Sequence, residues 1–175
     1  HMFNIPITLL RFFTVYGPWG RPDMSLFIFV KNIIKNKKIY VYNFGNHSRD
    51  FTYIDDIVNG IILALKKIPR PKKNSKSSKL DPSTSVAPFK ILNLGGGNSI
   101  KLMKFINIIE KILLKKAKIK FIKFQDGDIK DTKANINESK KYLKYKPKIK
   151  IKQGVKKFIE WYVKYNKVKI IKSKK

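Results

Sequence analysis

Arginine is scarce in this lysine-rich chain: of its 40 basic residues only four are arginine, namely Arg11, Arg21, Arg49 and Arg70. A guanidinium offers a planar fork that grips a carboxylate or phosphate through two hydrogen bonds, which an ammonium cannot copy. Arg21 and Arg49 are therefore candidates for anion recognition, with a structural ion pair as the competing reading. Arg21 closes the turn-rich stretch Tyr16-Gly17-Pro18-Trp19-Gly20-Arg21-Pro22, and Arg49 lies in the polar cluster His47-Ser48-Arg49-Asp50. Tyr42 and Phe44 precede Arg49 and offer stacking surface, while Asp128 lies on a glycine-containing loop. An arginine for a diphosphate, an aromatic or backbone bracket for a base and a carboxylate for ribose hydroxyls would together form a nucleotide site. The same residues would also suit a solvated rim, and their spacing leaves both readings open.

Other chemistries find less support. Cysteine is absent and the only histidines are His1 and His47, which excludes disulfides, thiolate chemistry and a histidine-rich metal centre. Asp55 and Asp56 are adjacent, so on a helix they do not face one another; they read as a helix start, where carboxylates suit the dipole. Tyr142 and Lys146 form a Y-x-x-x-K by chance just before a Lys-Pro turn. Gly95-Gly96-Gly97 follows a strand pattern and precedes a helix pattern, but lacks the G-x-G-x-x-G spacing of a dinucleotide site and reads as an ordinary turn. The sequence thus offers a binding surface without a self-sufficient catalytic set.

The elements that would carry these residues alternate between strand and helix, which argues for an α/β architecture. Residues 7–15 are predicted as a buried strand, 24–36 as a helix and 39–44 as a short strand ending at Gly45. A helix is expected from Asp55 to about Lys67. Residues 69–88 read as a surface loop rich in Pro, Ser and Lys. A strand at 89–94, a helix at about 101–114 and a strand at 119–124 follow. The acidic loop 125–132 leads to a short helix near 137–142 and a last helix at about 152–165, with Val155, Phe158, Ile159 and Tyr162 on one face.

The chain has 175 residues, an apolar share of 43% and 13% aromatics, enough to build a core as one domain or a large part of one. Its apolar runs fall short of the roughly 20 residues a membrane-spanning helix needs, and its first residues do not form a signal peptide; a cytoplasmic protein is the default. The net charge of +29 invites a nucleic-acid reading. However, the charge is spread along the whole chain and is almost all lysine, so specific nucleic-acid recognition is not expected.

The run Leu10-Arg11-Phe12-Phe13-Thr14-Val15-Tyr16-Gly17-Pro18-Trp19-Gly20-Arg21-Pro22-Asp23-Met24 resembles the signature of UDP-glucuronate 4-epimerases, within the extended short-chain dehydrogenase/reductase family. Arg49-Asp50-Phe51-Thr52-Tyr53-Ile54-Asp55-Asp56-Ile57 is similar to that family's second C-terminal signature, and Tyr145-Lys146-Pro147 is a further match. Even His1-Met2-Phe3-Asn4-Ile5-Pro6 resembles a family segment, H-L-Y-N-I-P. The resemblance implies the C-terminal part of an extended Rossmann-type epimerase: late sheet strands plus the small substrate-binding α/β domain, spanning residues 1–175. The N-terminal dinucleotide-binding part and the catalytic Tyr-x-x-x-Lys are expected to lie outside this sequence.

In such enzymes NAD takes hydride from sugar C4, a 4-keto intermediate turns over, and hydride returns to the opposite face, with a tyrosine as base and then acid. The resemblance places Thr14 and Arg21 at the glucuronate carboxylate, Arg49 at the UDP phosphates, Tyr42 and Phe44 around uracil, and Asp128 at the ribose. Phe27 and Gln125 join the substrate-binding set. Gln125 stands where many relatives of other sugar specificity use arginine, which shifts the phosphate contacts toward Arg49. Phe13 and Val15 match positions near the nicotinamide. The expected partner is a UDP-sugar, and complete relatives are expected to be homodimers. An inactive remnant or UDP-sugar-binding module is the alternative, and half a parallel sheet is expected to leave an uncovered strand edge.

Overall fold

The computed structural model describes residues 2–71 and 83–168. Parallel pairing dominates, as an α/β chain requires. Strand β1 (Ile7–Phe12) pairs in parallel with β6 (Phe89–Leu94), Ile7 opposite Phe89 and Phe12 opposite Leu94. β2 (Thr14–Tyr16) pairs in parallel with β5 (Phe51–Tyr53), and β3 (Lys38–Val41) with β8 (Lys118–Phe121). A short antiparallel pair, β4 (Ser48–Arg49) with β7 (Ile100–Lys101), closes the region between them.

The helices follow from their apolar periodicity. Helix α1 (Ser25–Ile34) buries Leu26, Phe29, Val30 and Ile33; α3 (Leu102–Leu113) buries Phe105, Ile106, Ile109 and Leu113. Helix α5 (Ile151–Tyr165) buries Val155, Phe158, Ile159 and Tyr162, the face expected from sequence. These stripes at three- and four-residue spacing meet Tyr16, Ile39, Val41 and Phe51 of the strands in one core. Phe51 and Phe105 stack at its centre, with centroids 4.0 Å apart. A second core joins α2 (Ile54–Leu65) and α4 (Asn137–Leu143) to β6 through Ile57, Leu92, Leu94, Leu143 and Tyr145. Gly60 on α2 permits that approach, since a Cβ there would lie 2.7 Å from a Leu94 methyl.

Several expectations need correction. Residues 7–15 are not one buried strand: the chain changes partner at Phe13, whose carbonyl accepts from Val15 N–H at 3.0 Å while Thr14 N–H donates to Asp50. Ile7, Leu9 and Phe12 are exposed, and β1 has only β6 beside it among the described residues. The expected strand at 39–44 ends at Val41. Tyr42–Gly45 form a 3-10 turn in which Asn43 and Phe44 are left-handed (φ 49° and 51°). The expected loop at 69–88 falls partly outside the described residues; its end returns onto β6, where Thr84 bridges Lys90.

Asp56 is more than a helix start. It is buried, and its carboxylate accepts the main-chain N–H groups of Lys148 and Ile149 at 2.9 and 3.0 Å, tying α2 to the segment before α5. Among the described residues no helix is long and apolar enough to cross a membrane, and no three His, Cys, Asp or Glu side chains gather as metal ligands.

Candidate functional site

The left-handed turn at Tyr42–Gly45 reverses the chain after β3 and delivers His47, Ser48 and Arg49 to one rim. Asn46 N–H donates to Asn43 O at 2.8 Å, and the Asn43 side-chain amide returns a bond to Asn46 O at 2.9 Å. The 125–132 segment then lies along β4. Ser48 N–H donates to Lys130 O at 3.1 Å, Thr132 N–H donates to Ser48 O at 3.1 Å, and the Ser48 hydroxyl donates to Asp131. Two stretches some 80 residues apart in sequence thus form one surface.

Arg49 and Asp128 meet on that surface. The guanidinium donates to Asp128 Oδ1 at 3.0 Å and to the main-chain oxygens of Ser48 and Lys130 at 3.0 and 2.9 Å. Arg49 is 23% exposed and Asp128 35%, so both charges remain open to solvent and to a ligand. A cavity of about 360 Å³ opens beside them, lined by Tyr40, Tyr42, His47, Arg49, Asp128 and Asp23 among others. That volume lies at the lower end of small-molecule pockets, which run from roughly 300 to 1,000 Å³. A larger hollow, about 870 Å³, lies between Arg70, Lys90 and Tyr142. It has no carboxylate among its lining residues, and none of the expected site residues line it.

The structure therefore gathers Tyr42, Arg49 and Asp128 around one cavity. The other expected residues lie elsewhere. Phe44 is 58% exposed, turned outward by its left-handed backbone. Gln125 is exposed, and its carbonyl accepts from Asp128 N–H at 3.1 Å, shaping the turn that presents Asp128. Thr14 is half-buried at the start of β2. Phe27 packs edge-on against Phe158 and Tyr162 of α5, with ring centroids 6.0 and 5.2 Å apart. Arg21 is exposed and held by Asp23, with contacts of 3.1 and 2.5 Å from its Nε and terminal nitrogen. The hydrogen bond from Arg21 holds the Asp23 carboxyl below the usual carboxylate range.

Three features of this region went unread in the sequence. His47 is 5% exposed and lines the cavity. Asp50 is fully buried, and its carboxylate accepts N–H groups from Gly96 (2.7 Å), Gly97 (2.9 Å) and Ala134 (2.9 Å). The Thr52 hydroxyl adds a bond at 3.2 Å. Tyr145 is buried and donates its hydroxyl to Gly95 O at 3.1 Å; burial pushes its phenol above its ordinary range, and Asp56 and Asp50 add to that. The preceding Tyr142 accepts Lys67 Nζ at its carbonyl, and the same ammonium lies 4.4 Å from its ring, a structural arrangement outside the Arg49 cavity.

Asp50 also decides how these residues fit a dinucleotide. The Gly96 and Gly97 N–H groups are the kind that cradle a phosphate, but here they hold Asp50. Phe13 and Val15 are half-buried and packed against the Leu92 and Leu94 core. The described residues therefore present apolar surface near Phe13 and Val15 and no phosphate cradle for NAD at the glycine turn.

In parallel α/β frames such as this one, ligands bind among the loops beyond the strand ends, where this cavity lies. Residues 1–76 match the NAD dependent epimerase/dehydratase family. Over 167 residues the chain is 46% identical to the protein CapI of Staphylococcus aureus, covering 95% of this chain and 50% of CapI. It is 40% identical to a probable UDP-glucuronate 4-epimerase of Rhizobium meliloti, covering 93% of this chain and 48% of that protein. The crystal structure of UDP-glucuronic acid 4-epimerase from Bacillus cereus, in complex with UDP-glucuronic acid and NAD, superposes with a TM-score of 0.77 at 31% identity. That likeness covers 93% of this chain and 47% of the other. The match to the NAD dependent epimerase/dehydratase family is carried by residues 1–76, and the similarity to these relatives runs over nearly all of the chain. The chain spans about half the length of the curated relatives it matches.

Proposed function

We propose that this chain is the UDP-sugar-binding portion of an NAD-dependent epimerase that interconverts UDP-glucuronate and UDP-galacturonate at C4. The observation that carries the reading is the convergence of Tyr42, Arg49 and Asp128 on one cavity. Relatives named as UDP-glucuronate 4-epimerases align across it. Arg49 takes the diphosphate, for which its partly exposed guanidinium is suited. Asp128 accepts from ribose hydroxyls, and Tyr42 lies against the uracil. Arg21 leaves Asp23 for the uronate carboxylate, with Thr14 beside it. The 175 residues contain no G-x-x-G-x-x-G and no Y-x-x-x-K at this cavity, so in this reading other residues supply hydride and proton transfer. A UDP-sugar-binding module without catalysis shares every contact named here; the 175 residues alone are expected to show no turnover with added NAD in either case, and an in-frame G-x-x-G-x-x-G and Y-x-x-x-K in the coding sequence upstream would separate the enzyme from the module.

Calorimetric titration of the chain with UDP-glucuronate tests the binding reading. Arg49→Lys removes a two-pronged, charge-assisted contact of about 1.5–3 kcal/mol, and is expected to weaken binding by roughly ten- to hundredfold. Equal affinity of the two proteins contradicts the assignment.

A further inference from the structure

His47 is held at three points. Its main-chain oxygen accepts the first N–H of α3, from Leu102, at 2.8 Å. One face of the ring stacks on Phe124, with centroids 5.7 Å apart and planes 25° apart. Nδ1 lies 3.2 Å from Lys130 O. A carbonyl has no proton to give, so Nδ1 must carry the hydrogen. Nε2 then faces Asp128 Oδ2 at 3.4 Å, buried and without a hydrogen-bond partner. With one ring proton, Nε2 sets a lone pair against a carboxylate oxygen. With two, both nitrogens donate and the contact becomes a charged hydrogen bond.

What tips this balance is Arg49, which neutralises the same carboxylate through its other oxygen at 3.0 Å. An anion drawn to Arg49 competes with Asp128 for the guanidinium and leaves the carboxylate facing His47 less compensated. We propose that His47 is a positioning residue of this cavity, taking a proton from solvent onto Nε2 when a diphosphate binds Arg49 and thereby holding Asp128 in place. This rests on the reading of the cavity as a nucleotide site. Among the described residues, the charged and titratable groups at the ring or lining the same cavity are Asp128, Arg49, Asp23, Tyr40 and Tyr42, with Lys130 meeting the ring through its main-chain oxygen; Phe124 and Leu102 contribute apolar surface and main chain.

The chain's two histidines, His1 and His47, make the test direct by NMR of the ring protons. The probe is UDP-glucuronate, whose doubly esterified diphosphate keeps its charge from about pH 5 to 8, the window in which imidazoles titrate. Saturation is expected to move the His47 resonances toward the imidazolium position. Calorimetry in two buffers of different ionisation heat is expected to show proton uptake that His47→Asn abolishes, since asparagine can still donate to Lys130 O but cannot titrate. Should that variant fail to fold, the ring resonances of the unaltered protein decide. Binding that leaves the His47 ring unmoved, or uptake that survives in His47→Asn, overturns the proposal while the nucleotide reading stands. No binding by the unaltered chain overturns the nucleotide reading, and this inference with it.

Discussion

Arg49 and Asp50 are neighbours in sequence and opposite in fate. Asp50 is fully buried and every contact it makes is internal: three main-chain N–H groups and a hydroxyl surround its carboxylate. Arg49 stays partly exposed beside a cavity, held by one carboxylate and two carbonyls that a stronger anion can outcompete. A saturated buried charge fastens elements together, here the β4–β5 corner, the glycine turn and the segment at Ala134. A charge left partly in solvent is available to a ligand. Adjacent positions thus carry one charge committed to the fold and one left open to solvent.

The largest way to break that contrast is to empty the Asp50 cradle. Asp50→Ala strands three buried N–H donors, each worth about 1–3 kcal/mol when left unsatisfied. The expected loss of at least about 3 kcal/mol should show as a large fall in the denaturant midpoint or loss of a cooperative transition. An Asp50→Ala protein as stable as the parent would mean the cradle fastens nothing.

Next comes alkali. Burial raises the phenols of Tyr16 and Tyr145 above the unfolded value of about 10. A group whose folded pKa is raised contributes stability that is full below its unfolded pKa and disappears as pH climbs toward the folded one. Stability is therefore expected to decline above about pH 10. Ultraviolet titration should show these two phenols ionising only as the protein unfolds. Ionisation of all eight tyrosines in one early step would contradict the burial assigned to them.

The smallest effect on the fold, and a specific one on recognition, is expected at Arg21. Its pair with Asp23 is exposed on both sides, and exposed pairs contribute little. Arg21→Lys should leave the thermal midpoint unchanged yet narrow the preference for UDP-glucuronate over UDP-glucose. Unchanged preference in competition calorimetry would remove Arg21 from the uronate contact.

Helices α1, α2, α3 and α5 were legible because their apolar residues recur at helical spacing, a signal written locally. The switch at Phe13 was not, since it depends on β5 and β6, which arrive later in the chain. The strand expected through Phe44 failed for a similar reason. Tyr42 to Gly45 look apolar enough for a strand, but the backbone turns left-handed to bring His47 and Arg49 against the 125–132 loop. Asp50 could not be read as a hub because its partners Gly96 and Ala134 lie 46 and 84 residues away. The scarcity of arginine singled out Arg21 and Arg49 alike, and the glycine-containing loop Asp128; that Arg49 and Asp128 line one cavity was not legible, because 79 residues separate them. Nothing local marked His47, whose burial comes from Phe124, Lys130 and the start of α3.

The central claim is that the Arg49–Asp128 cavity, and not the larger basic hollow, receives the nucleotide sugar. Amide chemical-shift mapping during titration with UDP-glucuronate tests it most directly. Shifts centred on Tyr42, His47, Arg49 and Asp128 are the predicted result. Shifts centred on Lys67, Arg70, Lys90 and Tyr142, with the Arg49 rim unmoved, would contradict it.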